Sequence, residues 1–402
     1  MTLALIFAYI LLQMILLMVL GLGVIYIFIF AFAGLFYRKE ESTGPTLYRK
    51  IVVLIPGYKE DEVIVETAGN ALQQDYPSGR YDVVVIADTF RKETLDRLTS
   101  LPLKVMEVQF EKSTKSKALN KAMSQLDADY DLAVVLDADN LMAPDFLKKI
   151  NAGFEKDHVA IQGHRTAKNL DTSLAVLDAI SEEINNHIFR KGHRVLGLSS
   201  ALIGSGMAFR YSFFRELMST VTAVGGFDKE IELKMLRNRH TIGYLDDAVV
   251  FDEKVQKEET FSNQRRRWLS AQVKYLREDF FPSLRALLTG GNLDYFDKVI
   301  QFIQPPRILL LGAVLLFGTL FFIVNLFMDA PVMLNLFWLG VGSFCFLAFV
   351  CSVPRSFYNR RTLKALATIP HGMFLMLGSL LKIRGADKEF LHTKHGVVDF
   401  NE

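Results

Sequence analysis

Asp137 and Asp139 stand two residues apart in the stretch A-V-V-L-D-A-D-N, Ala133 to Asn140. In extended backbone, side chains at i and i+2 point the same way, so this spacing aims both carboxylates at one point. The apolar residues before them read as the end of a buried strand, and the carboxyl edge of such strands is where open α/β sheets bind ligands. A divalent cation there would neutralise the pair and hold a diphosphate. Carboxylate and phosphate oxygens are hard ligands, which suits Mg²⁺ or Mn²⁺. Taken alone, the pair reads equally well as two solvated acids at a strand end.

Other stretches offer complementary chemistry. Gln264-Arg265-Arg266-Arg267-Trp268 supplies guanidinium groups for bidentate contacts with a diphosphate and a flat apolar face for a sugar ring. Its rival reading is a basic patch at a membrane surface. Asp228, Glu230 and Glu232 crowd a helix start after Gly225-Gly226, where a carboxylate could take a proton from a sugar hydroxyl or simply complement the helix dipole. Lys115-Ser116-Lys117-Ala118-Leu119-Asn120 opens a helix with cations, an arrangement unfavourable to the dipole and expected where phosphate binds. Pro56, Gly57 and Glu60 follow an apolar run in a turn that could cradle a nucleotide, and Asp88 ends another such run where it could accept from a base or ribose or cap the next helix. Gly204-Ser205-Gly206 permits close backbone approach but identifies no ligand by itself.

These residues need a sheet to position them. Ile51–Ile55, Tyr81–Ala87, Val105–Val108 and Leu132–Leu136 read as strands, with amphipathic stretches such as Glu60–Gln74 between them. Pro56 and Gly57 are expected to break the first strand. This alternation predicts βαβ units and a mostly parallel sheet over residues 45–276.

Half of the 402 residues are hydrophobic, and they gather at the two ends of the chain. Residues 1–37 are long enough to span a bilayer, which needs ~20 apolar residues. Arg38, Lys39, Arg49 and Lys50 follow, placing that side in the cytoplasm by the positive-inside rule. Residues 277–305 look amphipathic and interfacial. Two further spans are expected within 306–353, from about Ile308 to Met328 and from Val332 to Val353, joined by a turn at Asp329–Pro331. Residues 362–402 read as an interfacial or re-entrant helix and a basic cytosolic tail. The net charge of +2 and the lack of a basic run give no sign of a nucleic-acid partner. Cys345 and Cys351 read as small hydrophobes within an apolar segment.

In this order and spacing the motifs resemble the family 2 glycosyltransferases, and most of all the membrane-embedded β-glycan synthases that make cellulose, hyaluronan and poly-N-acetylglucosamine. The resemblance covers roughly Ile51 to Leu276. It implies a GT-A fold, a nucleotide-sugar donor with UDP expected, and a bacterial inner-membrane enzyme with its catalytic domain in the cytosol. Asp88 would contact the uridine, Lys117 the donor, and Asp137 and Asp139 the donor and metal. Gln264, Arg265 and Arg267 would serve the diphosphate, and Trp268 the acceptor sugar. The family's base is usually the Asp of T-E-D; here Glu230 falls at that position, with Asp228 in reserve. The tail F-L-H-T-K-H-G, Phe390 to Gly396, resembles tails of bacterial relatives. The implied reaction is inverting transfer to a glycan or a lipid-linked acceptor. Three spans are few for an export channel, which points to single transfer to a lipid carrier or to an accessory subunit. A membrane scaffold with structural acids and arginines is the non-enzymatic alternative.

Overall fold

The computed structural model describes residues 3–39, 46–256, 258–328 and 330–383. Asp329 and the tail motif Phe390–Gly396 lie outside the described residues. The chain opens with α1 (Leu3–Gly34), then β1 (Ile51–Tyr58), α2 (Ile64–Ala71), β2 (Tyr81–Asp88), α3 (Lys92–Thr99), β3 (Lys104–Val108), α4 (Lys115–Gln125) and β4 (Leu132–Val135). Next come β5 (Leu141–Met142), α5 (Phe146–Gly153), β6 (Ala160–Ala167), α6 (Ser173–Asn185), a π-helical turn (Asn186–Gly192), α7 (His193–Val195), β7 (Met207–Arg210), α8 (Tyr211–Ser219), α9 (Phe227–Arg237) and β8 (Ile242–Asp252). The rest is helical: α10 (Glu258–Gly290), α11 (Leu293–Gln301), α12 (Arg307–Phe327), α13 (Val332–Ser352), α14 (Arg360–Leu366) and α15 (Ile369–Leu381).

The eight strands form one sheet in the order β3-β2-β1-β4-β7-β6-β8-β5. β1 to β4 pair in parallel, whereas β7 runs antiparallel to both β4 and β6. The central strands are buried on both faces, which is why they read as continuous apolar runs rather than alternating ones. The expected break at Pro56-Gly57 does not occur. β1 stays paired with β2 as far as Tyr58 opposite Asp88, while its pairing with β4 ends at Leu54. Beyond Leu54 one side of β1 needs no donor, and proline is tolerated there. The helix expected over Glu60–Gln74 is shorter, Ile64–Ala71. Asp61 instead accepts from Arg91 N at 2.9 Å and Thr94 Oγ1 at 2.6 Å, tying down the first turn of α3.

Among the described residues three helices, α1, α12 and α13, are long and apolar enough to cross a membrane. α14 and α15 meet at 51°, and counted together they would make a fourth span. The apolar helices share a polar knot: Gln13 and Asn325 exchange hydrogen bonds at 3.0 Å, Tyr9 OH donates to Asn325 at 2.7 Å, and Trp338 Nε1 donates to Gln13 at 3.1 Å. Interhelical bonds of this kind fix the pairing of apolar helices where hydrophobicity cannot. α10 runs unbroken for 33 residues through Pro282, carries the Gln264–Trp268 motif and packs against α9, α11 and α15.

Candidate active site

A cavity of about 850 Å³ opens at the carboxyl edge of β1, β2 and β4. Pro56 and Glu60 from the end of β1 line it, as do Asp88 from β2 and Asp137 and Asp139 from beyond β4. The edge is strained. Lys59 and Thr89 adopt φ of 56° and 60°, values that side chains other than glycine seldom take, and Lys59 N donates to Asp88 O at 3.1 Å. Asp88 is buried and accepts from Thr89 Oγ1 at 2.9 Å, so Asp61 rather than Asp88 serves the helix that follows.

Asp137 and Asp139 are not in extended backbone. β4 ends at Val135, and Ala138-Asp139 form a turn in which Asn140 N donates to Asp137 O at 3.2 Å. Both carboxylates reach the cavity wall from this turn. The Gly204-Ser205-Gly206 loop holds the turn in place: Asp137 N donates to Ser205 Oγ at 2.9 Å. Gly204 and Gly206 have φ of 87° and 62°, which is what their lack of Cβ permits.

Two residue assignments shift. Lys117 lies at the surface, with its Nζ donating to Lys112 O at 2.8 Å, and it does not line the cavity. Lys115 does; it forms an ion pair with Asp137 and donates to Gly204 O at 2.6 Å. Two residues on a helix are about 200° apart, so the dilysine pattern could send only one of its ammonium groups inward. Glu230 likewise stays off the cavity. Its carboxylate accepts from Ala223 N at 2.7 Å and Thr222 N at 3.2 Å and pairs with Lys234 at 2.8 Å. Asp228, the second residue of α9, lines the cavity instead. Gly226 precedes it with φ of 67°, and a Cβ there would lie 2.9 Å from Ala271 of α10. Only glycine lets α9 begin this close to α10.

Gln264, Arg265, Arg267 and Trp268 all line the cavity from α10, while Arg266 points away and donates to Lys382 O at 3.1 Å. Arg265 pairs with Asp178 of α6, and its guanidinium lies 4.4 Å over Trp268 and 4.8 Å over Phe261. Phe261, Arg265 and Trp268 are spaced four and three apart, which places them on one helix face. Gln264 Oε1 and Arg265 Nε are buried polar atoms without a hydrogen-bond partner among the described residues. Burial lowers the pKa of Arg267.

The cavity wall also holds a charge network that no local motif announces. Arg165 of β6 donates to Glu182 of α6 at 3.0 Å, Arg190 of the π-helical turn meets Glu182 at 3.4 Å, and Lys254 pairs with Asp252 of β8 at 2.7 Å. Burial opposes the charge on Glu182, but Arg165, Lys254 and Arg190 outweigh it and hold the carboxyl well below its usual range. Asn140 joins this network to the acidic turn, donating to Asp252 at 2.9 Å.

Asp137 and Asp139 suit a divalent ion that completes its shell with phosphate oxygens. Among the described residues no group of three His, Cys, Asp or Glu is placed to hold a metal ion.

The family model described as "Glycosyltransferase like family 2" matches residues 49–271, more than half of the chain. A beta-monoglucosyldiacylglycerol synthase of Trichormus variabilis is 24% identical over 265 residues, which cover 62% of this chain and 51% of that protein. The chain thus spans about half the length of the curated relative it matches there. The probable glycosyltransferase YdaM of Bacillus subtilis is 22% identical over 76% of this chain and 73% of its own. Among solved structures, the mannosyltransferase PcManGT from Pyrobaculum calidifontis, in complex with GDP-Man and Mn²⁺, superposes with a TM-score of 0.50 at 17% identity, covering 84% of this chain and 96% of that one. The chain belongs to the glycosyltransferase-like family 2 and has a GT-A-like α/β fold.

Proposed function

We propose that the protein is a membrane-bound inverting glycosyltransferase that moves one sugar from a nucleoside-diphosphate sugar to an acceptor lipid. The observation that carries this reading is the reach of the cavity. It runs from Asp137 and Asp139 to Ile27 of α1, Ile308 of α12 and Met376 of α15, so one space touches both the sheet edge and the apolar helices. A lipid whose tail lies among those helices could present its headgroup to a donor bound at the sheet edge. The resemblance to processive glycan synthases is the second reading, favoured by Trp268 on the cavity wall. The positive-inside pattern of Arg38, Lys39, Arg355, Arg360 and Arg361 supports a cytosolic sheet domain on a bacterial inner membrane.

Pro56, Glu60 and Asp88 would hold the nucleoside, with a UDP-linked donor expected; the Pyrobaculum neighbour holds GDP-Man and Mn²⁺, so a donor panel must include both uridine and guanosine nucleotides. Mg²⁺ or Mn²⁺ on Asp137 and Asp139 would supply charge neutralisation of the diphosphate. Lys115 takes the cationic role expected of Lys117, and Asp228 replaces Glu230 as base. Asp228 removes the proton of the acceptor hydroxyl, whose oxygen bonds to the anomeric carbon as the bond to the diphosphate breaks on the opposite face. Arg265 and Arg267 stabilise the departing diphosphate, and Gln264 and Trp268 orient the sugars.

The test uses the full chain in nanodiscs with a panel of UDP- and GDP-sugars and either divalent ion. Release of nucleoside diphosphate from one donor, abolished in Asp139→Asn, is expected. No release and no donor binding across the panel would sink the reading.

A further inference from the structure

We infer that the membrane-facing end of the cavity holds a second anion subsite, built around Arg307, which binds a phosphate in the headgroup of the acceptor lipid. This rests on the lipid-acceptor reading above and names the chemistry of the acceptor.

Lys115 stands among the sheet-edge carboxylates Asp137, Asp139 and Asp228, whereas Arg190, Arg265 and Arg307 gather around Glu182. Two acids stand among these guanidinium groups, and each is already engaged: Asp178 by Arg265, and Glu182 by Arg165 and Arg190. Arg307 differs from the others. Its Nη1 donates to Asn185 Oδ1 at 2.7 Å, and its Nη2 donates to Ser181 O at 3.0 Å and Ser181 Oγ at 3.2 Å. These partners are all neutral, and its charged neighbours include Arg265 and Arg190 as well as Glu182. Cations gathered in a concave, partly apolar site are costly unless an anion joins them.

Position selects the source of that anion. Arg307 is the first residue of α12, one of the apolar helices, and its cavity neighbours Ile308, Met376 and Ile27 come from three such helices. A phosphate with an acyl or isoprenoid tail attached satisfies both the arginines and the apolar wall. A free nucleotide satisfies only the first, and in the reading above its diphosphate is held by the ion on Asp137 and Asp139 together with Arg265 and Arg267. The accepting hydroxyl would lie beyond the phosphate, toward Asp228.

The experiment is native mass spectrometry of the detergent-solubilised full chain with three probes: phosphatidylglycerol, diacylglycerol of the same chains, and inorganic phosphate. UDP binding is measured in parallel. Retention of phosphatidylglycerol over diacylglycerol is expected, falling about tenfold in Arg307→Gln with UDP binding unchanged. Equal retention of the two lipids, or unaltered phosphatidylglycerol retention in Arg307→Gln, overturns the subsite. So does binding of inorganic phosphate with no preference between the lipids. If Arg307→Gln loses UDP binding through misfolding, Arg307→Lys carries the test: it keeps the charge, so the preference must persist, and its loss refutes the proposal. A phosphate-dependent preference in a protein that binds no nucleotide would keep the subsite and fail the transferase reading.

Discussion

Lys115 and Asp137 form an ion pair at the edge of the cavity, and the same ammonium group donates to Gly204 O at 2.6 Å and lies 4.7 Å over the Phe227 ring. One cation thereby joins the start of α4, the acidic turn, the glycine loop and the first residue of α9. It also occupies a carboxylate oxygen that a metal ion would use. Lys115→Met frees that oxygen while removing a charge beside the proposed diphosphate site. Turnover should fall about tenfold or more, while half-saturation by Mn²⁺ moves to lower concentration. A Mn²⁺ titration of nucleoside diphosphate release checks both; an unchanged half-saturation would show that lysine and metal do not compete.

Asp228 and Glu230 sit two apart on α9 and should separate cleanly on substitution. Asp228 lines the cavity, so Asp228→Asn should reduce transfer by about a thousandfold without lowering stability. Glu230 instead receives the Thr222 and Ala223 N–H groups, so Glu230→Gln should cost about 1–2 kcal/mol of stability and leave most of the activity. Steady-state rates and thermal unfolding on both variants decide the assignment. The opposite pattern would return the base to Glu230.

The same pair shows where sequence stops being legible. The strands, the acidic turn and the apolar helices announce themselves because each depends on residues adjacent in the chain. Side-chain direction on a helix does not: whether Lys115 or Lys117, and whether Asp228 or Glu230, faces the cavity depends on how α4 and α9 rotate against the sheet. At the start of α9, Gly226 has no Cβ to meet Ala271 of α10, so the two helices come close there. The Arg165–Glu182–Arg190 network was invisible for another reason. Its members come from β6, α6 and the π-helical turn, and nothing local says that they converge. Asp137 and Asp139 line the cavity from a turn rather than from the extended backbone their spacing suggests, since a turn and a strand can bring the same two carboxylates to one edge.

A second buried cluster should shape stability against pH. His164 of β6 lies between Glu183 at 3.1 Å and Asp246 at 3.0 Å, with Tyr244 OH at 2.8 Å and Lys191 paired to Asp246 at 2.7 Å. Burial opposes charge on the imidazole, but hydrogen bonds and attraction from the two carboxylates prevail and push its pKa from 6.5 up to about 9. The folded value exceeds the unfolded one, so the stabilisation is complete below pH 6.5 and is lost as pH rises through about 9. Glu183 and Asp246 are both depressed, because their hydrogen bonds and nearby cations outweigh burial; their contribution fades instead as pH falls through their lowered values. His164→Gln should therefore be less stable than the parent by roughly 2–3 kcal/mol near pH 6. The gap should close as the pH is raised past that of the histidine. Thermal unfolding of both proteins across that range measures it, and a gap independent of pH would mean that the imidazole is neutral in the fold.

Gly192 ends the π-helical turn where the sheet domain meets α1. A Cβ on it would lie 2.1 Å from Phe30 O and 2.8 Å from Phe30 C, both backbone atoms that no rotamer change can move aside. His193, the next residue, stacks on the Phe30 ring with centroids 3.7 Å apart, so the two segments are held close from both sides. Gly192→Ala must push α1 away from the turn, at a cost of about 3 kcal/mol or more. Gly69 is the control. It lies within α2 with no atom within 4 Å of its added Cβ, so Gly69→Ala should be neutral or stabilise by about 0.5–1 kcal/mol through helix propensity. Unfolding of the three full-length proteins in one detergent should rank Gly69→Ala at or above the parent and Gly192→Ala well below it. A Gly192→Ala variant as stable as the parent would mean that α1 and the turn do not approach this closely in solution, and that α1 is docked to the sheet domain by other contacts.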